Sequence, residues 1–155
     1  MKIAFVFNEK KTAGKLTKFF TGCYCYHVAI VDEEHDILYD MNLLRRKRRY
    51  SSYSSGKTIV LIESPVTMTS EYLEEQLLTD NSKYGILDYL RFGLRPLYHL
   101  FGASTPNAGG VICSEMVHND LFENGWAVLF PEVPSPCDLY EVLRLQVAFD
   151  DTFER

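Results

Sequence analysis

Nothing in this sequence approaches the uninterrupted apolar run of roughly 18 residues that a membrane-spanning helix requires. The N-terminal MKIAFVFNEKK has too short an apolar core to read as a secretory signal. Both absences lead to the expectation of a cytoplasmic protein, whose reducing surroundings keep thiols free. The cysteines at 23, 25, 113 and 137 are then expected as core residues or as chemistry rather than as disulfides. Cys23, Cys25 and His27 fall within five residues, but no second Cys-x-x-Cys or histidine pair completes a structural zinc site, so no metal and no other cofactor is expected. There is no internal repeat and no linker-like stretch that would divide the chain, and residues 1–155 read as a single domain.

What is present suits a packed core. Hydrophobic residues make up 46% of the sequence and charged residues 24%, which excludes a disordered chain, and the 14% aromatic share provides for a filled interior. The net charge is −5, yet RRKRR at 45–49 holds five of the 16 basic residues, so the rest is more acidic than the net value indicates. A general DNA- or RNA-binding protein does not have that balance.

Alternating and β-branched residues predict strands over about 2–8, over YHVAIVD at 26–32 and over ILYDMNL at 37–43, with DEEHD as the turn of a hairpin between the last two. KTAGKLTKFFTG at 11–22 reads as a short helix stopped by Gly22. The basic run and SSYSSG read as a polar, flexible loop, and TIVLIES at 58–64 as a buried strand ended by Pro65. TSEYLEEQLL has Thr69 as cap and Leu73 and Leu77 at helical spacing. GILDYLRFGLRPLYHL at 85–100 predicts a helical region broken at Pro96, and ASTPNAGG at 103–110 a loop. CSEMVHNDLFENG starts a helix at or near Cys113 and stops it at Asn124-Gly125. Ser135 caps a short final helix with Pro136 in its first turn, after which RLQVAF reads as an edge strand.

Cys113 is the chemically interesting cysteine. A helix N-terminus stabilises a thiolate through unpaired N–H groups and the positive end of the dipole, and Gly109-Gly110 allows close approach of a ligand to the backbone. Buried cysteines are more often core than nucleophile, so the question passes to a base. His35 lies in an acidic turn, His99 beside the proline break, and His118 five residues along the same helix on another face. His27 remains, at the start of an otherwise apolar strand, where it is either a satisfied core residue or a group facing a cleft. A hairpin around DEEHD brings Asp40 of the next strand near the same end, able to orient the ring; alone, Asp40 would read as a strand-terminal turn residue.

YHVAIV, ILYDMNL and ICSEMV, in that order, resemble the circularly permuted NlpC-type papain-like cysteine hydrolases, in particular the YiiX-like branch. KYGILDYLRFG at 83–93 and SPCDLYE at 135–141 resemble further segments of that family, so that the likeness runs over nearly the whole chain. It departs at Asp40, where many relatives carry glutamate, at Ile112, where they carry tyrosine, and in lacking a Gly-Asp turn near the first strand.

The resemblance implies an α+β, permuted papain-like fold, a small antiparallel sheet packed against helices with the nucleophile at a helix N-terminus. It implies Cys113 as nucleophile, His27 as general base and acid and Asp40 as the orienting third residue, with Tyr26 and Ile112 beside them as substrate-binding positions. The reaction implied is cleavage of an amide (peptide or isopeptide-like) or ester bond. The connection after the Asp40 strand flanks the cleft in this fold, so Arg45, Arg46, Arg48 and Arg49 are expected to favour an acidic substrate or a protein partner. Two alternatives stand beside this reading: acyl transfer like that of lecithin:retinol acyltransferase, and a catalytically silent module that binds through residues 45–49.

Overall fold

The computed structural model of the chain describes residues 1–7, 24–42, 44–80, 98, 100–102 and 111–153, the side chains of 150–153 excepted. The helices expected over 11–22 and 85–100 and the loop at 103–110 lie wholly or almost wholly outside these residues. Within them the architecture is α+β. Strands β1 (Lys2–Phe7), β2 (Cys25–Asp32), β3 (Ile37–Asn42), β4 (Leu44–Arg49) and β5 (Thr58–Glu63) form one sheet in the order β4-β3-β2-β1-β5. Every neighbouring pair is antiparallel. Helices α1 (Tyr50–Ser54), α2 (Ser70–Thr79), α3 (Cys113–Glu123) and α4 (Pro136–Phe153) pack against it. None of the described helices is long and apolar enough to cross a membrane.

Alternation along the strands gives the sheet two different faces. One carries Ile3, Phe5, Val28, Ile30, Tyr39 and Met41 into the main core, against Leu73 of α2, Met116, Val117 and Leu121 of α3, and Leu139 and Leu143 of α4. The other carries Ala4, Ala29, Val31 and Leu38 into a smaller cluster beneath Tyr50 and Tyr53 of α1. His27, Asp40, Arg46 and Arg48 belong by register to this second face.

Local chemistry accounts for most of the expected elements. The β2–β3 turn places Asp36 at φ 55, a left-handed conformation that aspartate tolerates. The Asp36 carboxylate accepts hydrogen bonds from the backbone N–H and hydroxyl of Ser51, both at 2.7 Å, and so ties the turn to α1. Thr69 caps α2 by accepting from the Tyr72 N–H at 3.2 Å. Ser135 and Asp138 cap α4 reciprocally, the serine hydroxyl accepting from the Asp138 N–H at 3.1 Å and the carboxylate accepting from the Ser135 N–H at 2.8 Å.

Four expectations are corrected. Residues 144–149 continue α4 instead of forming an edge strand, because no turn residue interrupts the chain after Leu143 and Gln146 is held by the Trp126 indole N–H at 2.9 Å. Among the described residues TIVLIE is an edge strand paired only with β1, with Ile62 as its one buried residue. Cys137 is disulfide-bonded, leaving Cys25 and Cys113 as the free thiols among the described residues; the rule that ties free thiols to a reducing compartment is only a tendency. The basic run is not a flexible loop but β4, the opposite edge of the sheet.

Each cation of β4 meets an acid, which is why so charged a segment is ordered. Arg46 and Arg48 point to Asp40, Lys47 lies 2.7 Å from Glu74 of α2, and Arg49 lies 3.7 Å from Asp36. Arg45 turns inward, its side chain only 3% exposed, and pairs with Asp120 of α3 at 2.5 Å and with Asp80 at 3.4 Å. That buried pair ties the edge strand to the helix that begins with Cys113. Replacing Arg45 with methionine strands the Asp120 charge in the interior and is expected to cost about 3 kcal/mol. Urea unfolding of Arg45→Met checks this, and a loss within the error of the wild-type midpoint would mean the pair does not hold the two elements together.

Candidate active site

Cys113, His27 and Asp40 come together where β2 and β3 part. The paired register of these strands ends at Ile30–Tyr39, although β2 extends back to Cys25 and β3 on to Asn42. The first residue of α3 occupies the resulting opening, and the backbone N–H groups of Val28 and Ser114 donate to the Cys113 sulfur. The start of β2 is further reshaped by a bulge: Val6 pairs with His27 and Phe7 with Cys25, leaving Tyr26 as the extra residue. A bulge re-aims the side chains next to it. Here it leaves Cys25 in the main core while His27, with its side chain 13% exposed, looks across the opening.

His27 Nε2 lies 3.1 Å from Oδ2 of Asp40, which leaves the other ring nitrogen to the Cys113 thiol, its second side-chain hydrogen-bond partner. Asp40 has no solvent exposure. Its Oδ1 accepts from Arg46 Nε at 3.0 Å, and its Oδ2 accepts from Arg48 as well as from the histidine. The Arg48 guanidinium lies 4.0 Å above the Tyr53 ring centroid, and the His27 and Tyr53 centroids are 6.3 Å apart. The site is thus a line of groups running from the α3 N-terminus through β2 and β3 to the edge strand.

The electrostatics follow from this contact order. Burial opposes ionisation of the Cys113 thiol, but the His27 charge, the His27 hydrogen bond and the two backbone donors outweigh it, and its pKa is lowered. Burial likewise opposes a charge on His27, yet the Cys113 thiolate and Asp40 raise its pKa to about 9. Asp40 is held below the usual carboxylate range, against its own burial, by the histidine and the two arginines. The Cys113 and His27 shifts each favour the charged form, the direction expected of a thiolate–imidazolium pair. Cys25, the neighbouring free thiol, goes the other way: burial, then the charge on Cys113, push it up to about 12.

The remaining positions divide. Tyr26 is half-buried beside His27. Ile112 is 3% exposed and serves as the N-cap residue of α3, where its side chain makes no capping bond. Arg46, Arg48 and Arg49 have side chains 42%, 31% and 77% exposed, and the first two reach the site through Asp40. Arg45 is buried in its pair with Asp120 and does not face the site. Of the other histidines, His35 binds Asp32 at 2.8 Å, His118 packs among Trp126 and Phe130 with Nε2 2.9 Å from the Val128 carbonyl oxygen, and His99 lies outside the described residues. Among the described residues no group of three His, Cys, Asp or Glu could hold a metal.

The chain matches no protein-family model, no curated protein and no solved structure. The site therefore has to be read from its own geometry. Tyr53 and the arginine–Asp40 contacts were not anticipated from sequence; RRKRR is uniformly basic and shows no alternation, and only if the run is taken as a strand does the two-residue period place residues 46 and 48 on the Asp40 face.

The Cys113 pKa is lowered and that of His27 raised to about 9, so the imidazolium is present at neutral pH, favours the thiolate beside it, and is lost as pH climbs through about 9. Iodoacetamide labelling mapped by mass spectrometry is expected to modify Cys113 near neutral pH while leaving Cys25 intact. In His27→Ala the Cys113 rate should fall and its pH midpoint move up toward an ordinary thiol. Equal labelling of the two cysteines, or indifference to His27, would contradict the ion pair.

Proposed function

We propose that the chain is a permuted papain-like thiol hydrolase that cleaves an amide or ester bond through an acyl-enzyme on Cys113. The observation that carries this reading is the continuous hydrogen-bonded line Asp40–His27–Cys113 at the N-terminus of a helix, assembled from three separate elements. Nucleophile, base and orienting group are in the order that acyl chemistry needs.

The Cys113 thiolate attacks the carbonyl carbon, and negative charge develops on the carbonyl oxygen. The first turn of α3 supplies N–H groups that have no helical carbonyl to bind, and Ile112 offers no side-chain cap to consume them, so donor capacity remains there for the oxyanion. The His27 imidazolium then gives its proton to the leaving amine or alcohol as the carbon–leaving-group bond breaks. Once the sulfur is acylated, neutral His27 takes a proton from water, hydroxide adds to the thioester, and collapse releases the acid and returns the thiolate. Asp40 keeps the ring in place through both half-reactions.

Incubation with p-nitrophenyl acetate should give a burst of one nitrophenolate per chain and an acetyl group on Cys113, followed by slow turnover. His27→Ala should lower the acylation rate by roughly 10²–10⁴-fold, and Cys113→Ala should abolish the burst. An acetyl-enzyme that persists in water but is discharged by an added acyl acceptor would reassign the chain to acyl transfer. No burst, with Cys113 unmodified, would leave the binding-module reading through β4.

A further inference from the structure

The two arginines of β4 meet Asp40 from the side opposite the histidine, and their number poses a problem for the chemistry above. A buried carboxylate beside an imidazole favours the imidazolium, and in low dielectric it does so strongly. During hydrolysis of an acyl-enzyme the thiolate is gone, so Asp40 and its surroundings decide whether His27 can be neutral and act as a base. A lone buried aspartate would hold the proton on the ring.

The groups facing this centre are few enough to name. β2 contributes His27, Cys25 and Tyr26; β3 contributes Asp40; α3 contributes Cys113; α1 contributes Tyr53; β4 contributes Arg46 and Arg48; and Lys57 follows α1 with its ammonium 3.7 Å from the Tyr53 ring centroid. With the thiol acylated, Asp40 is the one carboxylate among them. Arg46 Nε lies 3.0 Å from Oδ1, so one guanidinium grips the oxygen that the histidine does not use. Arg48 shares Oδ2 with the histidine and is itself fixed between that oxygen and the Tyr53 ring, its Nε buried without a hydrogen-bond partner. An unpaired buried nitrogen is a cost that a surface-exposed arginine would avoid; Arg48 keeps the position because two other contacts hold it there.

We propose that Arg46 and Arg48 are positioning residues that temper the Asp40 charge, so that Asp40 holds the His27 ring in line without locking a proton onto it. Arg46 and Arg48 act through Asp40 rather than on a substrate, which replaces the role that their exposure alone would suggest. This rests on the reading of Cys113 and His27 as the catalytic pair, but the device can be measured apart from it.

The test is an NMR titration of the His27 ring in a Cys113→Ser background, where no thiolate is present and no turnover is needed. Removing a cation from Asp40 leaves more of its negative charge for the imidazolium. The His27 midpoint in Arg48→Met is therefore expected to rise by about one pH unit, and Arg48→Lys, which keeps the charge, to return most of the way. Arg46→Met should shift it in the same direction, and it carries the test if Arg48→Met does not fold. A midpoint that stays put or falls in both methionine variants overturns the proposal; a loss of thermal stability without a shift would mark the arginines as structural only. Failure of the acetylation experiment would refute the hydrolase reading and leave this titration standing, so the two outcomes are separable.

Discussion

A carboxylate with no exposure to water sits in the middle of a β-strand, and its satisfaction organises the site end of this molecule. Asp40 accepts from His27, Arg46 and Arg48, and these contacts decide what its neighbours can be. They explain why a strand as cationic as LRRKRR is ordered at all, since the residues opposite Asp40 have a partner that solvent does not offer. They also explain how a histidine at the loosened end of β2 keeps one orientation. The cost of burying a charge is met by several close partners at once, which is the condition under which such burial is tolerated.

From that centre the rest of the architecture follows in two directions. Arg45 and Lys47 of β4 face the helices and bind Asp120 and Glu74, so the same strand that grips Asp40 on one face anchors α2 and α3 on the other. Since α3 begins with Cys113, its placement against the opening between β2 and β3 is fixed from both ends: by Arg45–Asp120 along its length, and by the Val28 N–H group of β2 at its first residue. The position of the thiol relative to the imidazole is thus a property of the sheet, not of a loop.

The parts of this that were legible in the sequence were those set by local rules. Thr69, Ser135 with Pro136, and Asn124-Gly125 announce helix ends through capping chemistry, and the DEEHD turn between two alternating segments gives the β2–β3 hairpin. His27 and Cys113 could be nominated because each stands at or near the start of an element, and Asp40 because the hairpin brings its strand beside His27. What local rules could not supply was pairing at a distance. RRKRR reads as solvated when its partners at 40, 74, 80 and 120 are unknown, Ile62 is the only buried residue of β5 because that strand ends up at an edge, and the alternation in RLQVAF fits a strand until the Leu139–Leu143 stripe carries the helix through it. The bulge at Tyr26 likewise leaves no mark in YCYHVAIV, because it arises from the mismatch with β1.

The account turns on one physical claim, that Cys113 is ionised by its contact with His27. The ultraviolet absorbance of the thiolate, taken as the difference between the wild type and Cys113→Ala across a pH titration, reads that state with no reagent and no substrate. The account predicts a thiolate already present in the neutral range, with its appearance shifted upward when His27 is replaced by alanine. A Cys113 signal that first appears in the alkaline range of an ordinary thiol, and does so whether or not His27 is present, would contradict it.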